Sequence, residues 1–351
     1  MTLDLVLRGG RVIDPSQGLD AITDVGFRGG RVAEIGAGLS GLTIRDVAGS
    51  IVTPGLIDLH THVYWGGTSL GVDPLRLARG GCTTLVDTGS AGPGNYAGFL
   101  EHVIRPSPVR IIALLNVSFA GIYAFSKRVM VGESGDVRLM APIEAVDVAA
   151  ANRDTVGGVK VRVGFHASQG AGIVPLDIAL QAAEESGLPL MVHIDHPPPT
   201  LADVLARMRK GDILTHCFRP FPNNACTAEG GVRPEVREAR ARGIIFDIGH
   251  GMGSFAFKTA RAMLANGFEP DCISSDVHAL CVEGPAFDLL TTMSKFLCLG
   301  MALGDVVRAA TAAPARALRR ADLGSLSPGA AGDASRASQR GKSVNSTRCE
   351  D

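Results

Sequence analysis

The sequence predicts an α/β protein, a (β/α)8 TIM barrel with a small N-terminal β-domain in front of it and an incomplete C-terminal end. Three observations predict this. The first fifty-odd residues alternate apolar and polar side chains between Gly-Gly pairs, as strands do. From Leu56 onward, eight short apolar runs alternate with helix-like stretches, the pattern of repeated strand–helix units around a parallel sheet. Side chains able to bind metal fall near the C-terminal ends of those runs, where a barrel of this kind places its active site.

In the N-terminal part (residues 1–54), residues 3–8 and 11–14 flank Gly9-Gly10, and residues 25–28 and 31–35 flank Gly29-Gly30. Glycine pairs between strand-like runs favour tight turns at positive φ, so both read as hairpins. An RNA-binding Arg-Gly-Gly reading is the weaker one for two isolated copies inside alternating strands. Residues 47–52 lead the chain into Pro54-Gly55 and the barrel, residues 55–320. Its strands are expected near 56–62, 83–89, 109–117, 157–163, 188–194, 212–218, 244–250 and 272–278. Helices fit between them at 74–79, 98–104, 143–152, 175–185, 201–210, 234–242 and 255–266, with a last one at 287–299. The end, residues 321–351, becomes rich in Ser and Arg and poor in bulky apolar residues; that composition predicts disorder and an incomplete small sheet.

The most informative motif is His60-Thr61-His62, directly after the apolar run Leu56-Ile57-Asp58-Leu59. Residues two apart on a strand point the same way, so both imidazoles can project together toward a transition metal such as zinc. Later runs end in Lys160, His193, His216 and Asp276. Arg162 follows Lys160 by two and is aimed into the same cavity, where a guanidinium can grip a substrate carboxylate. His250, at the end of the seventh run, and His278, two residues after Asp276, are further candidate substrate contacts.

These residues, in this order, resemble the amidohydrolase superfamily of metal-dependent hydrolases. The resemblance covers roughly residues 3–333, and "PGLIDLHTH" is among its more specific parts. "GVKVR", "MVHI", "LTHCF", "DIGHGMGSF" and "SSDVH" resemble its amidohydrolase/deacetylase branch, near the dihydroorotases. The resemblance implies two divalent metal ions, taken as Zn2+. His60, His62 and Asp276 would hold the more buried ion, and His193 and His216 the more exposed one. Lys160 would bridge both after carboxylation, since an ammonium cannot ligate a cation. A hydroxide bridging the metals would attack an amide or ester carbonyl, with Asp276 as general acid/base. The implied reaction is deacetylation of N-acyl amino acids or O-acyl hydroxy acids. The alternatives are a cyclic amidohydrolase of the dihydroorotase or hydantoinase kind, or an inactive binding protein on the same barrel.

Composition narrows the remaining classes. Apolar residues make up 46%, enough for a large core and too many for a disordered chain. Lys plus Arg (34) balances Asp plus Glu (35), which gives no electrostatic footprint for nucleic acid or an anionic membrane. With no long apolar run and no signal-like N-terminus, a soluble cytoplasmic protein acting on a small molecule is expected, with homo-oligomerisation left open. Seven scattered cysteines without Cys-x-x-Cys pairs argue against both a disulfide framework and a zinc ribbon.

Overall fold

A computed structural model of the protein describes residues 2–220 and 222–338. The chain opens with β1 (Leu3–Asp14), β2 (Leu19–Arg28), β3 (Arg31–Gly36), β4 (Gly41–Asp46) and β5 (Ile51–Pro54). β2 pairs antiparallel with both β1 and β3, while β4 and β5 add parallel to β1. Val12, Val25, Phe27, Val32 and Val52 form their shared core. Gly29-Gly30 makes the expected hairpin, with both residues at positive φ. Gly9-Gly10 does not. β1 runs straight through it, with Gly9 at φ +73° and a register shift against β2 between Leu7 and Gly10. The positive φ is absorbed as a bulge, because β2 continues alongside and pairs on both sides of it.

The second sheet is β6 (Leu56–Thr61), β7 (Cys82–Thr88), β8 (Arg110–Asn116), β9 (Val156–Val163), β10 (Leu190–Ile194), β11 (Ile213–Leu214) and β12 (Ile245–Phe246), parallel and in sequential order. The eighth expected strand, 272–278, is extended chain joined by isolated bridges, Asp247 to Cys272 on one side and Thr61 to Val277 on the other. Asp276 donates its N–H to His60 O, and His62 donates to Val277 O. Regular pairing fails because Asp276 sits at φ +47° and Ser275 N–H goes to the Asp58 carboxylate instead of a neighbouring carbonyl. The stave nonetheless closes the ring.

Helices α1 (Pro74–Ala78), α2 (Tyr96–Phe99, continued by a π-turn over Leu100–Ile104), α3 (Pro142–Ala151), α4 (Val174–Ser186), α5 (Leu201–Arg207), α6 (Pro234–Ala241), α7 (Phe257–Ala265) and α8 (Leu289–Cys298) follow the strands. α9 (Leu303–Ala309) and α10 (Ala312–Ala317) are additional. Start signals are local: proline in the first turn of α1, α3, α4 and α6, and side-chain caps from Asp73, Thr200 and Asp288. Ile57, Leu59, Ile112, Leu114, Met191 and Ile213 pack together with α10 and form the apolar floor on which the polar site rests.

The expected disorder from residue 321 is overturned up to residue 338. β13 (Ala334–Ala337) pairs antiparallel with β5, Arg336 opposite Val52. Ser335 binds Leu56 N–H and Gly81 O, and Asp333 pairs with Arg110. A short strand on a sheet edge is held by backbone and polar bonds, so lack of bulky side chains does not prevent it. Residues 339–351, including Cys349, lie outside the described residues. The other six cysteines are free, five buried and Cys298 exposed. Among the described residues no helix is long and apolar enough to cross a membrane.

Candidate metal centre

β6 delivers the first two ligand candidates, though not by simple alternation. Its register against β7 shifts between Asp58 and Thr61, a bulge of the kind that re-aims side chains beside active sites. The His60 and His62 rings end 5.5 Å apart, both buried. From the opposite stave Asp276 Oδ1 lies 3.2 Å from His60 Nε2 and 3.3 Å from His62 Nε2. His216 follows β11 at φ +65°, which turns its ring to 5.2 Å from that of His60. His60, His216 and Asp276 each offer a donor atom within 4.8 Å of the other two. His193, on β10, brings Nδ1 to 2.7 Å from His216 Nε2.

The surrounding bonds fix tautomers. Thr215 Oγ1 donates to Asp247 Oδ2 at 2.8 Å, so it accepts from His60 Nδ1–H, also at 2.8 Å. His60 Nε2 is therefore a bare lone pair facing a carboxylate oxygen, two acceptors with no donor between them. A cation resolves that contact. His216 Nδ1 faces Gly249 O at 2.7 Å; a carbonyl only accepts, so His216 Nε2 is also a lone pair. Ser90 Oγ lies 2.9 Å from His62 Nδ1 and is itself held on the loop by Asp87, which accepts from Ser90 N–H and Val63 N–H.

Electrostatics keep the ring nitrogens available. Burial, then the Lys160 charge, holds His60 and His216 well below the usual histidine range; burial and His216 do the same to His193. Burial takes His62 down to about 3. Lys160, on β9 and 0% exposed, is lowered by burial to about 7. Among the described residues its Nζ has one hydrogen-bond contact, Met191 Sδ at 3.4 Å. Such a partner does little for a buried ammonium. Asp276 is raised by burial to about 6. A neutral-imidazole and carboxylate set with a fully buried amine beside it fits divalent transition metal.

Arg162, also on β9, lies buried beside this cluster, under the ring of Phe125. His278 is buried, its ring 6.2 Å from that of His62 and 5.4 Å from that of Phe125. His250 is different. Its Nδ1–H donates to Gly251 O and its Nε2 accepts from Lys295 Nζ at 2.7 Å, while its face stacks on Phe255. Both ring nitrogens have partners within the protein, Gly251 O and Lys295 Nζ.

Sequence reading missed Thr215, Asp247, Ser90 and Asp87, which brace the candidate ligands His60 and His62 from behind, and Glu133 and Phe125 beside Arg162. Asp87 and Asp247 carry a usable signal, a lone acid at the end of an apolar strand run. The loop residues carry none.

Residues 51–336 match the model of the amidohydrolase family. The chain belongs to that family. Its members are hydrolytic enzymes, generally metal-dependent, acting on C–N bonds. A deacetylase of Agrobacterium fabrum is 36% identical over 275 residues, 78% of this chain and 67% of the relative. A solved structure described as a dihydroorotase superposes with a TM-score of 0.85 at 33% identity, covering 94% of this chain and 87% of that one. Another, described as an adenine deaminase, gives 0.88 at 29%, covering 95% and 89%.

Proposed function

We propose that this amidohydrolase is a divalent-metal deacetylase, removing the acetyl group from a small carboxylate-bearing N-acyl or O-acyl compound. The observation that carries the metal-dependent part is the bare Nε2 of His60 facing Asp276 Oδ1 at 3.2 Å, with His62 and His216 converging on the same point. The acetyl preference draws on the similarity to the Agrobacterium enzyme. His60, His62 and Asp276 would hold one ion, taken as zinc, and His193 and His216 a second. Lys160 would bridge them as a carbamate: its amine, lowered to about 7, is neutral often enough at physiological pH to add carbon dioxide, forming an N–C bond and losing a proton. When bound, the metal supplies Lewis acidity that acidifies water and polarises the scissile carbonyl.

The protein's own groups do the rest. Asp276, raised to about 6, accepts a proton from the attacking water and returns it to the leaving nitrogen or oxygen. Arg162 takes the substrate carboxylate through charge-assisted hydrogen bonds, and His278 lines the pocket near His62. The test is a panel of N-acetyl amino acids and O-acetyl hydroxy acids, both enantiomers, with metal-replete and chelated enzyme. Undiminished activity without metal sinks this reading. Likeness to a dihydroorotase favours a second reading, a cyclic amidohydrolase, which ring-opening assays on the same preparation separate from it.

A further inference from the structure

Arg162 is a buried cation whose donors are unspent. It is 8% exposed, its Nε is buried without a hydrogen-bond partner, and its terminal nitrogens bond to none of the described residues. Two surroundings constrain it. The Phe125 ring lies 5.2 Å from the guanidinium carbon. The Glu133 carboxylate, also 8% exposed, approaches Arg162 Nε to 3.6 Å, and its Oε2 has no partner.

Glu133 is held firmly. Its Oε1 accepts from Asn116 Nδ2 at 3.3 Å, and its backbone carbonyl accepts from Ser118 Oγ at 3.0 Å. Ser134 N–H binds Ala167 O, and a Cβ on Gly132 would come within 2.3 Å of Ala167 O and His166 O, so this stretch lies directly on the backbone after β9. Phe125 belongs to the same loop between β8 and α3, in a small hairpin where Ser126 N–H binds Val129 O and Val131 N–H binds Ala124 O.

We propose that Glu133 is a positioning residue and Phe125 a backing face that together make Arg162 a carboxylate clamp, so the loop between β8 and α3 selects anionic substrates. Glu133 approaches the Nε edge, and the Phe125 ring packs near the guanidinium carbon. The two terminal nitrogens are left as a fork matched to a planar carboxylate. Fixing that fork beforehand lowers the ordering cost of binding. This rests on the hydrolase reading above and deepens it: the substrate carries its carboxylate close to the scissile bond, within reach of both Arg162 and Asp276.

The test uses metal-loaded enzyme and two ligands that cannot be hydrolysed. 4-Oxopentanoate is the ketone counterpart of N-acetylglycine, and 5-hydroxy-2-pentanone is its neutral analogue. Their dissociation constants are read by NMR titration. The wild type is expected to bind the anion about 10–100-fold more tightly. Arg162→Met should abolish the preference. Glu133→Gln, nearly isosteric, should reduce it about tenfold with metal content and melting temperature unchanged, and should add little to Arg162→Met in the double variant. Phe125→Leu should reduce it by a smaller factor. In turnover, Glu133→Gln should raise KM far more than it lowers kcat. Equal binding of the two ligands, a preference that survives Arg162→Met, or a Glu133→Gln effect that follows only metal loss overturns the clamp. Turnover of acetylated substrates without carboxylate preference sinks the clamp alone; preference without turnover sinks only the proposed reaction.

Discussion

Thr215→Val tests whether His60 is prepared for metal by the bonds behind it. Thr215 Oγ1 stands 2.8 Å from both His60 Nδ1 and Asp247 Oδ2, and all three residues are buried. Valine keeps the shape and removes the hydroxyl, leaving an imidazole N–H and a carboxylate oxygen without that partner. Each such orphan costs about 1–3 kcal/mol, so roughly 2–6 kcal/mol of stability is at stake. Asp247 retains Ser274 Oγ at 2.7 Å and lies 3.8 Å from His60 Nδ1, so partial re-pairing would favour the lower figure. His60 also loses the bond that keeps its proton on Nδ1, and loss of such an outer partner lowers metal affinity about 10–100-fold. The assay is chelator competition for zinc with a parallel melt, using Thr215→Ser as the control that keeps the hydroxyl. If the valine and serine variants bind metal equally well, the reasoning fails.

Three further outcomes follow from the same geometry. Asp276→Asn is expected to lose at least a hundredfold in kcat through removal of the proposed proton carrier, with metal analysis expected to find ions still bound. Gly251→Ala would place a Cβ within 2.3 Å of Asp276 Oδ2 at φ +57°, so activity should fall with Asp276 displaced; wild-type kcat/KM would contradict this. The metal-free protein should gain stability as pH rises from 7.5 to 8.5. Burial lowers Lys160 to about 7 in the folded state from its ordinary 10.5, so through this group the unfolded state binds more protons in that window; Asp58 and Asp247, raised by burial to about 7, offset part of the gain at its lower end. The slope is up to about 1.4 kcal/mol per pH unit, and Lys160→Met should flatten it in melts of metal-free protein.

Much of the candidate site is legible because the residues proposed as ligands follow apolar strand runs, where period two and the barrel's one-ended chemistry leave few choices. Lys160 and Arg162 are the plainest case, two residues apart on one regular strand. His60 and Asp276 were legible in identity but not in mechanism: a bulge aims the first and a positive φ the second, and neither has a sequence period. Glu133 and Phe125 escaped notice because the loop between β8 and α3 has no repeat to reveal which side chains turn inward. The Lys295 contact of His250 has no sequence signal, since a place at a strand end says nothing about a lysine arriving from α8. Composition failed for residues 334–337, where a strand edge supplies through backbone bonds what small side chains cannot supply through burial. Gly9-Gly10 failed for a related reason, as β2 offers partners to both halves of β1.

The most direct test is anomalous diffraction at the zinc absorption edge from crystals grown with zinc. Density is expected within coordination distance of His60, His62 and Asp276, with a second ion at His193 and His216 joined to the first through extra density on Lys160 Nζ. Ordered zinc elsewhere, or none among these side chains at full zinc occupancy in solution, would contradict it.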